Sequence, residues 1–150
     1  MKKVIHVDLD DTLCHYTDHH KVMKGRNPEI KYPQSQYGFF LEIPPIQDGK
    51  HYLDDLSKHF EVYILTRPSF KNPLCYTEKR YWVEKHLGMY YAERLFICPN
   101  KSLVKGDYLV DDTLWPNFEG EQIQFGTYPF THWKYVYRYI MNINDLEPIR

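Results

Sequence analysis

Three carboxylates follow the first apolar segment of the chain, and their spacing is suited to phosphoryl chemistry or to binding a cation. Residues 4–7 are Val-Ile-His-Val, and Asp8, Asp10 and Asp11 come directly after them. Residues two apart on an extended backbone point the same way, so Asp8 and Asp10 can face one spot where the strand ends. Like charges at the end of a buried strand repel and resist desolvation. These acids therefore predict a functional site.

Two other uses of this acidic stretch have to be weighed. Asp and Thr are favoured at helix starts, so the stretch can also be interpreted as a loop that caps the next helix. A calcium loop also begins Asp-x-Asp, but it requires glycine at its sixth position and glutamate at its twelfth. Those positions are Leu13 and His19, which exclude a calcium loop. A helix cap and a metal site shared with distant residues both stay open.

The size and charge of the chain limit the classes of protein to consider. At 150 residues and 18.2 kDa, residues 1–150 fit a single domain. A net charge of −1 and a pI near 6.7 give no general reason to expect binding to nucleic acid or to a membrane surface. No apolar segment approaches the roughly 20 residues of a membrane span. Cys14, Cys75 and Cys98 are odd in number and far apart, and without a signal peptide they predict reduced thiols in a cytoplasmic protein.

Residues 15–46 differ in composition from the rest, with basic side chains among Gly and Pro. We interpret them as an irregular insert, and at about 30 residues it is far longer than the usual two-to-six-residue connection. Loops of that length are commonly lids or binding elements, so we expect a small cap insert. His15, His19 and His20 could hold a metal if this segment were helical, although no Cys or Glu completes a ligand set.

The remaining segments alternate between apolar runs and helical periodicity. Predicted strands cover residues 61–65, 94–98, 108–110 and 123–125, and predicted helices cover 47–60, 72–88 and a stretch that begins near 131. We expect Asp48 and Thr131 to cap helices, and Pro73 to stand in a first helical turn whose helix Gly88 ends. This alternation predicts an α/β fold, a Rossmann-like parallel sheet with helices on both faces, whose ligands bind at the carboxyl ends of the strands.

Polar side chains also follow three later strands. Thr66 and Arg67 follow the second, Lys101 comes soon after the third, and Asp111 and Asp112 close the fourth. Turn chemistry favours Asn, Gly and Pro as readily as Asp, Thr and Lys, so turns alone do not explain the pattern. Because the carboxyl ends of parallel strands share one edge of the sheet, we expect these groups to meet the acids of the first strand.

Such a constellation suits metal-assisted phosphoryl transfer. Mg²⁺ prefers a few carboxylates together with water and substrate phosphate, and the Asp111 and Asp112 pair can complete a shell begun by the first acids. One carboxylate can then attack phosphorus, while a second protonates the leaving oxygen and later activates water. Asp8 suits the nucleophile and Asp10 the acid and base.

The phosphoryl oxygens need donors at the same edge. The Thr66 hydroxyl, backbone N–H groups near Arg67 and the Lys101 ammonium can hold them. Lys101 can also offset the repulsion between an anionic nucleophile and an anionic substrate.

The order of these residues resembles the four motifs of the haloacid dehalogenase superfamily of phosphohydrolases. The motifs are Asp8-Leu9-Asp10-Asp11-Thr12, then Thr66, then Lys101, then Asp111-Asp112. Within that superfamily the chain is most similar to the 5'(3')-deoxyribonucleotidases, through residues 39–46, 76–88 and 100–112. The resemblance implies a Rossmann-like core, a helical cap, Mg²⁺ and dephosphorylation of nucleoside monophosphates.

The resemblance also implies individual roles. Asp8 would be nucleophile and metal ligand, and Asp10 would be acid and base while giving its backbone carbonyl to the metal. One of Asp111 and Asp112 would be the third protein ligand. Aromatic residues near the base in that family correspond to Tyr16 and Phe40.

Two departures from the family pattern bear on the substrate. The insert is much shorter than the family's cap, so base recognition is expected to be weaker, different or supplied by a second subunit of a homodimer. Arg67 stands where a small residue is usual, and Pro99 where a basic residue can occur. The same chemistry on another small phosphate ester or a nucleic-acid end, and a nucleotide-binding protein without turnover, are therefore the alternatives.

Overall fold

The protein is built on a five-stranded parallel sheet, seen in a computed structural model that describes residues 1–149. The strands are β1 (Val4–Val7), β2 (Glu61–Thr66), β3 (Leu95–Ile97), β4 (Tyr108–Asp111) and β5 (Glu121–Gln124). Their order across the sheet is β3-β2-β1-β4-β5, and each neighbouring pair is parallel. The parallel Rossmann-like α/β fold predicted from the sequence is thereby confirmed.

The first strand lies at the centre of the sheet because it is apolar and paired on both edges. Ile5 and Val7 are fully buried, and Val7 pairs with Ile64 on one side and with Val110 on the other. The Asp8 backbone N–H continues this ladder by donating to the Val110 carbonyl at 2.9 Å. The acid that follows β1 is therefore fixed against the end of β4.

Five α-helices accompany this sheet within residues 1–149. They are α1 (Tyr16–Arg26), α2 (Gly49–Ser57), α3 (Cys75–Leu87), α4 (Met89–Ala92) and α5 (Trp133–Ile143). The buried apolar side chains of α2 to α5 all belong to the larger hydrophobic cluster. A second cluster of Leu65, Leu109 and Phe118 is covered by the connections 98–107 and 112–120.

Two predicted helix starts shift by a few residues. α3 begins at Cys75 rather than at Asn72-Pro73, and the Asn72 side chain instead accepts a hydrogen bond from the Leu74 backbone N–H at 3.0 Å. α5 begins after His132, so Thr131 is not its capping residue. Asp48 does precede α2 as expected, but with φ of 69° and without a side-chain cap.

The insert of residues 15–46 is more regular than predicted. It contains α1 and two short 3-10 helices, Pro33–Ser35 and Phe39–Glu42. No α1 residue is classed as buried, so this helix lacks the apolar periodicity by which a sequence reveals a helix. The insert is attached to the core through Phe39 and Phe40, both nearly fully buried, and through the Trp82 indole N–H, which donates to the Ile43 carbonyl at 2.8 Å.

Candidate active site

A buried lysine lies between two buried carboxylates at the carboxyl edge of the sheet. The Lys101 ammonium donates to Asp8 Oδ1 at 2.6 Å and to Asp111 Oδ2 at 2.7 Å. Lys101 is 2% exposed, and it reaches this position from the short 3-10 helix Lys101–Leu103, whose first turn the Asn100 side chain caps by accepting from the Ser102 N–H. The structure therefore brings together Asp8 and Asp111, which are 103 positions apart in the sequence.

A third carboxylate completes an acidic group that is suited to a cation. Oxygens of Asp8, Asp111 and Asp112 all lie within 4.8 Å of one another. Burial, and then the charge of Asp8, raise the pKa of Asp112 to about 8, and burial also raises the pKa of Asp8. Three carboxylates this close together repel one another. Their oxygens are suited to a divalent cation such as Mg²⁺, which would neutralise their charge.

The charge of Lys101 offsets part of this repulsion. Burial lowers its pKa, but the carboxylates of Asp8 and Asp111 outweigh burial and leave the pKa above its ordinary value. The ammonium is therefore charged at neutral pH, where it can face the phosphoryl oxygens of a substrate.

The raised pKa of Asp112 leads to a testable pH dependence. Between its ordinary value of 3.8 and about 8, the folded protein keeps a proton that the unfolded chain has released, so this group destabilises the fold as pH rises across that range. Asp112 is only half-buried and solvent screens the effect. We expect Asp112→Asn to raise the Tm of metal-free protein at pH 8 by roughly 2–4 °C, which is about 1 kcal/mol for a domain of this size.

The measurement is thermal unfolding in a chelator at pH 5 and pH 8. The gain from Asp112→Asn should shrink at pH 5, where wild-type Asp112 is protonated, and added Mg²⁺ should stabilise the wild type more than the variant. An unchanged or lower Tm for the variant at pH 8 would argue against crowded charge at Asp112.

The other predicted residues surround a second lysine. Asp10 has 29% of its side chain exposed, and its Oδ2 accepts from Lys79 Nζ at 2.9 Å. The same ammonium donates to Thr66 Oγ1 and to the Arg67 carbonyl, each at 2.7 Å. Thr66 is fully buried, so its hydroxyl is held at the end of β2 by this lysine.

Sequence reasoning gave no role to Lys79. The available signal is its place on α3, where it shares a face with buried Cys75, Trp82 and Val83. A lysine on the apolar face of a helix requires a partner inside the protein. Its neighbour Glu78 is also buried, and its carboxylate accepts from the Gly38 N–H and from Asn72 Nδ2, which ties the insert to the loop after β2.

A cavity of about 290 Å³ opens onto Asp8, Asp10 and Lys101, whereas the buried Thr66 and Lys79 are not among its lining residues. Its walls include Tyr16 from α1 and the exposed Arg67. Phe40 lies behind Tyr16, with ring centroids 6.2 Å apart and planes at 27°, and it is nearly fully buried. Of the two aromatic residues predicted to lie near a base, Tyr16 alone lines this cavity. The remaining wall is Asp8, Asp10, Asp11, Thr17, Lys101, Asp111, Asp112, Thr113 and Trp115.

Asp11 has a structural use at this edge. Its carboxylate accepts from the Thr17 backbone N–H at 2.9 Å and from the Thr17 hydroxyl at 2.5 Å, which fixes the first turn of α1. The capping interpretation of the acidic stretch therefore describes Asp11, whereas Asp8 and Asp10 face lysines.

The three histidines of the insert contact different partners. His19 Nε2 lies 3.1 Å from the Phe39 carbonyl oxygen, and His20 Nε2 lies 3.1 Å from Gln34 Oε1. His15 Nδ1 lies 3.9 Å from Asp18 Oδ2. Within residues 1–149, the group with metal-ligand spacing is the Asp8, Asp111 and Asp112 cluster.

Comparisons with known proteins show the family to which the chain belongs. Residues 26–147 match the family described as "5' nucleotidase, deoxy (Pyrimidine), cytosolic type C protein". A Vibrio phage KVP40 protein named "Putative 5'(3')-deoxyribonucleotidase" is 32% identical over 149 residues, covering 95% of this chain and 87% of its own. The human "5'(3')-deoxyribonucleotidase, cytosolic type" is 41% identical over 78 residues, covering 50% of this chain and 38% of the human protein. The solved structure of a haloacid dehalogenase-like family hydrolase from Xanthomonas campestris matches 97% of this chain and 70% of that protein. The TM-score is 0.44 and the sequence identity is 9%, so the structural similarity is low.

The parallel sheet with carboxylates and lysine at its carboxyl edge agrees with the haloacid dehalogenase-like class that the motifs resemble. The chain belongs to the cytosolic type C 5' nucleotidase family, because the match covers most of its length. It spans 38% of the human relative, so the activity named for that protein is a proposal for this one.

Proposed function

We propose that this protein is a Mg²⁺-dependent phosphomonoesterase that hydrolyses deoxynucleoside or nucleoside monophosphates through an aspartyl-phosphate on Asp8. The observation that supports it most is the buried Lys101 ammonium between Asp8 and Asp111, with Asp112 beside them, at the floor of an open cavity. A buried charge cluster of this kind often stabilises a fold less than apolar packing would, so a catalytic use accounts for it better than stability does. Family membership supplies the nucleotide as the first substrate class to test.

In the proposed first step, an Asp8 carboxylate oxygen forms a bond to phosphorus as the bond from phosphorus to the leaving oxygen breaks. Asp10 gives its proton to that leaving oxygen. In the second step, Asp10 takes a proton from water, the water oxygen attacks phosphorus, and the Asp8–phosphorus bond breaks. Free phosphate and the original Asp8 carboxylate result.

The surrounding groups stabilise charge during both steps. Lys101 and the backbone N–H groups near Arg67 would bind the phosphoryl oxygens, and Thr66 would donate its hydroxyl proton to one of them. A Mg²⁺ ion held by Asp8, one of the Asp111 and Asp112 pair and the Asp10 carbonyl would supply Lewis acidity and neutralise the substrate phosphate.

The cavity volume favours a second substrate class. At about 290 Å³ it lies at the lower end of ligand sites. It can enclose a phosphate and a sugar, while a base would extend beyond it. Another small phosphate ester, or a nucleic-acid end, is therefore the alternative substrate for the same mechanism.

A panel of esters assayed for phosphate release with Mg²⁺, and again with a chelator, tests the proposal. The panel contains 5' and 3' deoxynucleoside monophosphates, ribonucleotides, sugar phosphates and a 5'-phosphorylated oligonucleotide. We expect the largest kcat/KM for a deoxynucleoside monophosphate and no release in chelator. Phosphate release from sugar phosphates alone would make another small phosphate ester the substrate instead of a nucleotide. Nucleotide binding without phosphate release over hours would indicate a binding protein.

The cellular setting is part of the same proposal. No helix within residues 1–149 is long and apolar enough to cross a membrane. We propose a cytoplasmic protein because the human relative is named as a cytosolic type and because Cys14, Cys75 and Cys98 are free thiols. A homodimer that completes the base site would be detected by light scattering.

A further inference from the structure

The ammonium of Lys79 uses all of its hydrogen-bonding capacity inside the protein. Lys79 is 2% exposed, and its three donors reach Asp10 Oδ2 at 2.9 Å, Thr66 Oγ1 at 2.7 Å and the Arg67 carbonyl at 2.7 Å. A lysine ammonium has three donors and no acceptor. One side chain from α3 therefore joins the residue proposed as acid and base to the residues proposed to hold phosphate.

Stability alone does not account for a charge at this position. Lys79 lies among apolar neighbours on α3, and its ring contact is with Phe40, whose centroid is 5.3 Å from Nζ. Replacing a buried ion pair with a well-packed apolar side chain is often neutral or stabilising. An apolar pair in place of both Lys79 and Asp10 would pack α3 without desolvating an ammonium, so the two charges have a use beyond packing.

The contact with Thr66 sets the direction of a proton. Because Lys79 can only donate, the Thr66 oxygen must accept from it, and the hydroxyl proton is directed to another acceptor. Thr66 lies at the carboxyl end of β2, at the edge where the phosphoryl group is proposed to bind. The Thr66 proton is thereby left for an acceptor other than Lys79.

The contact with Asp10 fixes the position of a carboxylate. Lys79 anchors Oδ2, while Oδ1 has a weak contact with the Cys14 thiol at 3.6 Å. Asp10 keeps 29% of its side chain exposed and lines the cavity. Its plane is held by protein groups while it still faces the space where a leaving group would stand.

We propose that Lys79 is a positioning residue for phosphoryl transfer, which holds Asp10 toward the leaving oxygen and turns the Thr66 hydroxyl toward the phosphoryl group. This inference rests on the proposed function. It assigns no contact between Lys79 and substrate.

The test compares two substrates that differ in their need for a proton. A nucleoside alkoxide must be protonated as it leaves, whereas a nitrophenolate leaves as a stable anion. We expect Lys79→Met to lower kcat/KM for a deoxynucleoside monophosphate on the order of 10²-fold and for p-nitrophenyl phosphate less than about tenfold. The quantity kcat/KM reports the transfer to Asp8, the step in which Asp10 gives up its proton.

Lys85→Met is the matched control, because Lys85 is an exposed residue on the same helix. It should leave kcat/KM for both substrates unchanged. Should Lys79→Met fail to fold, Lys79→Arg keeps the charge but cannot make the same three bonds from one nitrogen, and the same two substrates decide.

Each result has a defined meaning. No loss on either substrate would overturn this inference alone. Equal losses on the two substrates would overturn the positioning of Asp10, because only a lost proton donor distinguishes the two leaving groups. If the wild type hydrolyses neither ester, the proposed function fails first and the role of Lys79 fails with it.

Discussion

Replacing Asp8 with Asn is expected to abolish phosphate release, with a loss on the order of 10⁴-fold or more in kcat. An amide oxygen is a poor nucleophile, and it cannot form the acyl phosphate that the proposed mechanism requires. The fold should survive, because Asn has nearly the same shape and Lys101 keeps its contact with Asp111 at 2.7 Å. Removing one of three crowded acids should also relieve repulsion.

The measurement is phosphate release under substrate saturation with Mg²⁺, with circular dichroism and Tm as checks on the fold. Asp18→Asn is the matched control, because Asp18 is an exposed carboxylate on α1. It should keep wild-type activity. Turnover by Asp8→Asn within tenfold of the wild type would rule out the covalent mechanism.

The carboxyl edge of the sheet could be predicted because each strand there is a short apolar run that ends in polar residues. Residues 4–7 and 108–110 are short apolar segments that fit a buried strand better than a helix or a loop. The acids that follow them must lie at one edge once the strands are parallel. The contact of Lys101 with both acids follows from this topology.

Other features could not be predicted because they depend on contacts between distant segments. α1 has no buried residue and hence no periodic signal. Phe40 was expected near a base, yet its ring packs beneath Tyr16 in the core. The sequence does not show whether an aromatic ring lines a cavity or packs in the core. Lys79 shares the buried face of α3, which indicates a partner inside the protein, but only the fold shows that this partner is Asp10.

Lys101 and Lys79 contact different groups at the carboxyl edge of the sheet. Lys101 bridges the acids proposed to bind metal and attack phosphorus, and Lys79 bridges the groups proposed to move a proton and bind phosphate. Each ammonium lies within 3 Å of its carboxylate partners and is almost fully buried. The site is thus held by fixed charges before any substrate binds, which is the arrangement that electrostatic catalysis requires.

Replacing Lys101 with Met is expected to have the largest effect on stability. It would leave Asp8 and Asp111 buried without their counter-charge, and removing one partner of a buried ion pair costs about 3–5 kcal/mol. Because the Lys101 pKa is raised above its ordinary 10.5, this stabilisation is fully present at neutral pH and is lost only as pH rises beyond that value. Such a loss is a large part of the roughly 5–15 kcal/mol that holds a domain together.

Urea unfolding at pH 7.5 in chelator measures the change, with Lys85→Met as an exposed control that should unfold like the wild type. The deficit of Lys101→Met should shrink at pH 5, because the raised pKa of Asp8 lets that acid take up a proton, and it should shrink again when Mg²⁺ is added. Both effects have one cause, since a proton and a cation each reduce the repulsion between Asp8 and Asp111 that Lys101 no longer offsets. A variant as stable as the wild type in chelator would mean that the acids are not held in place by Lys101, and a deficit unaffected by pH and Mg²⁺ would trace the loss to packing instead of charge.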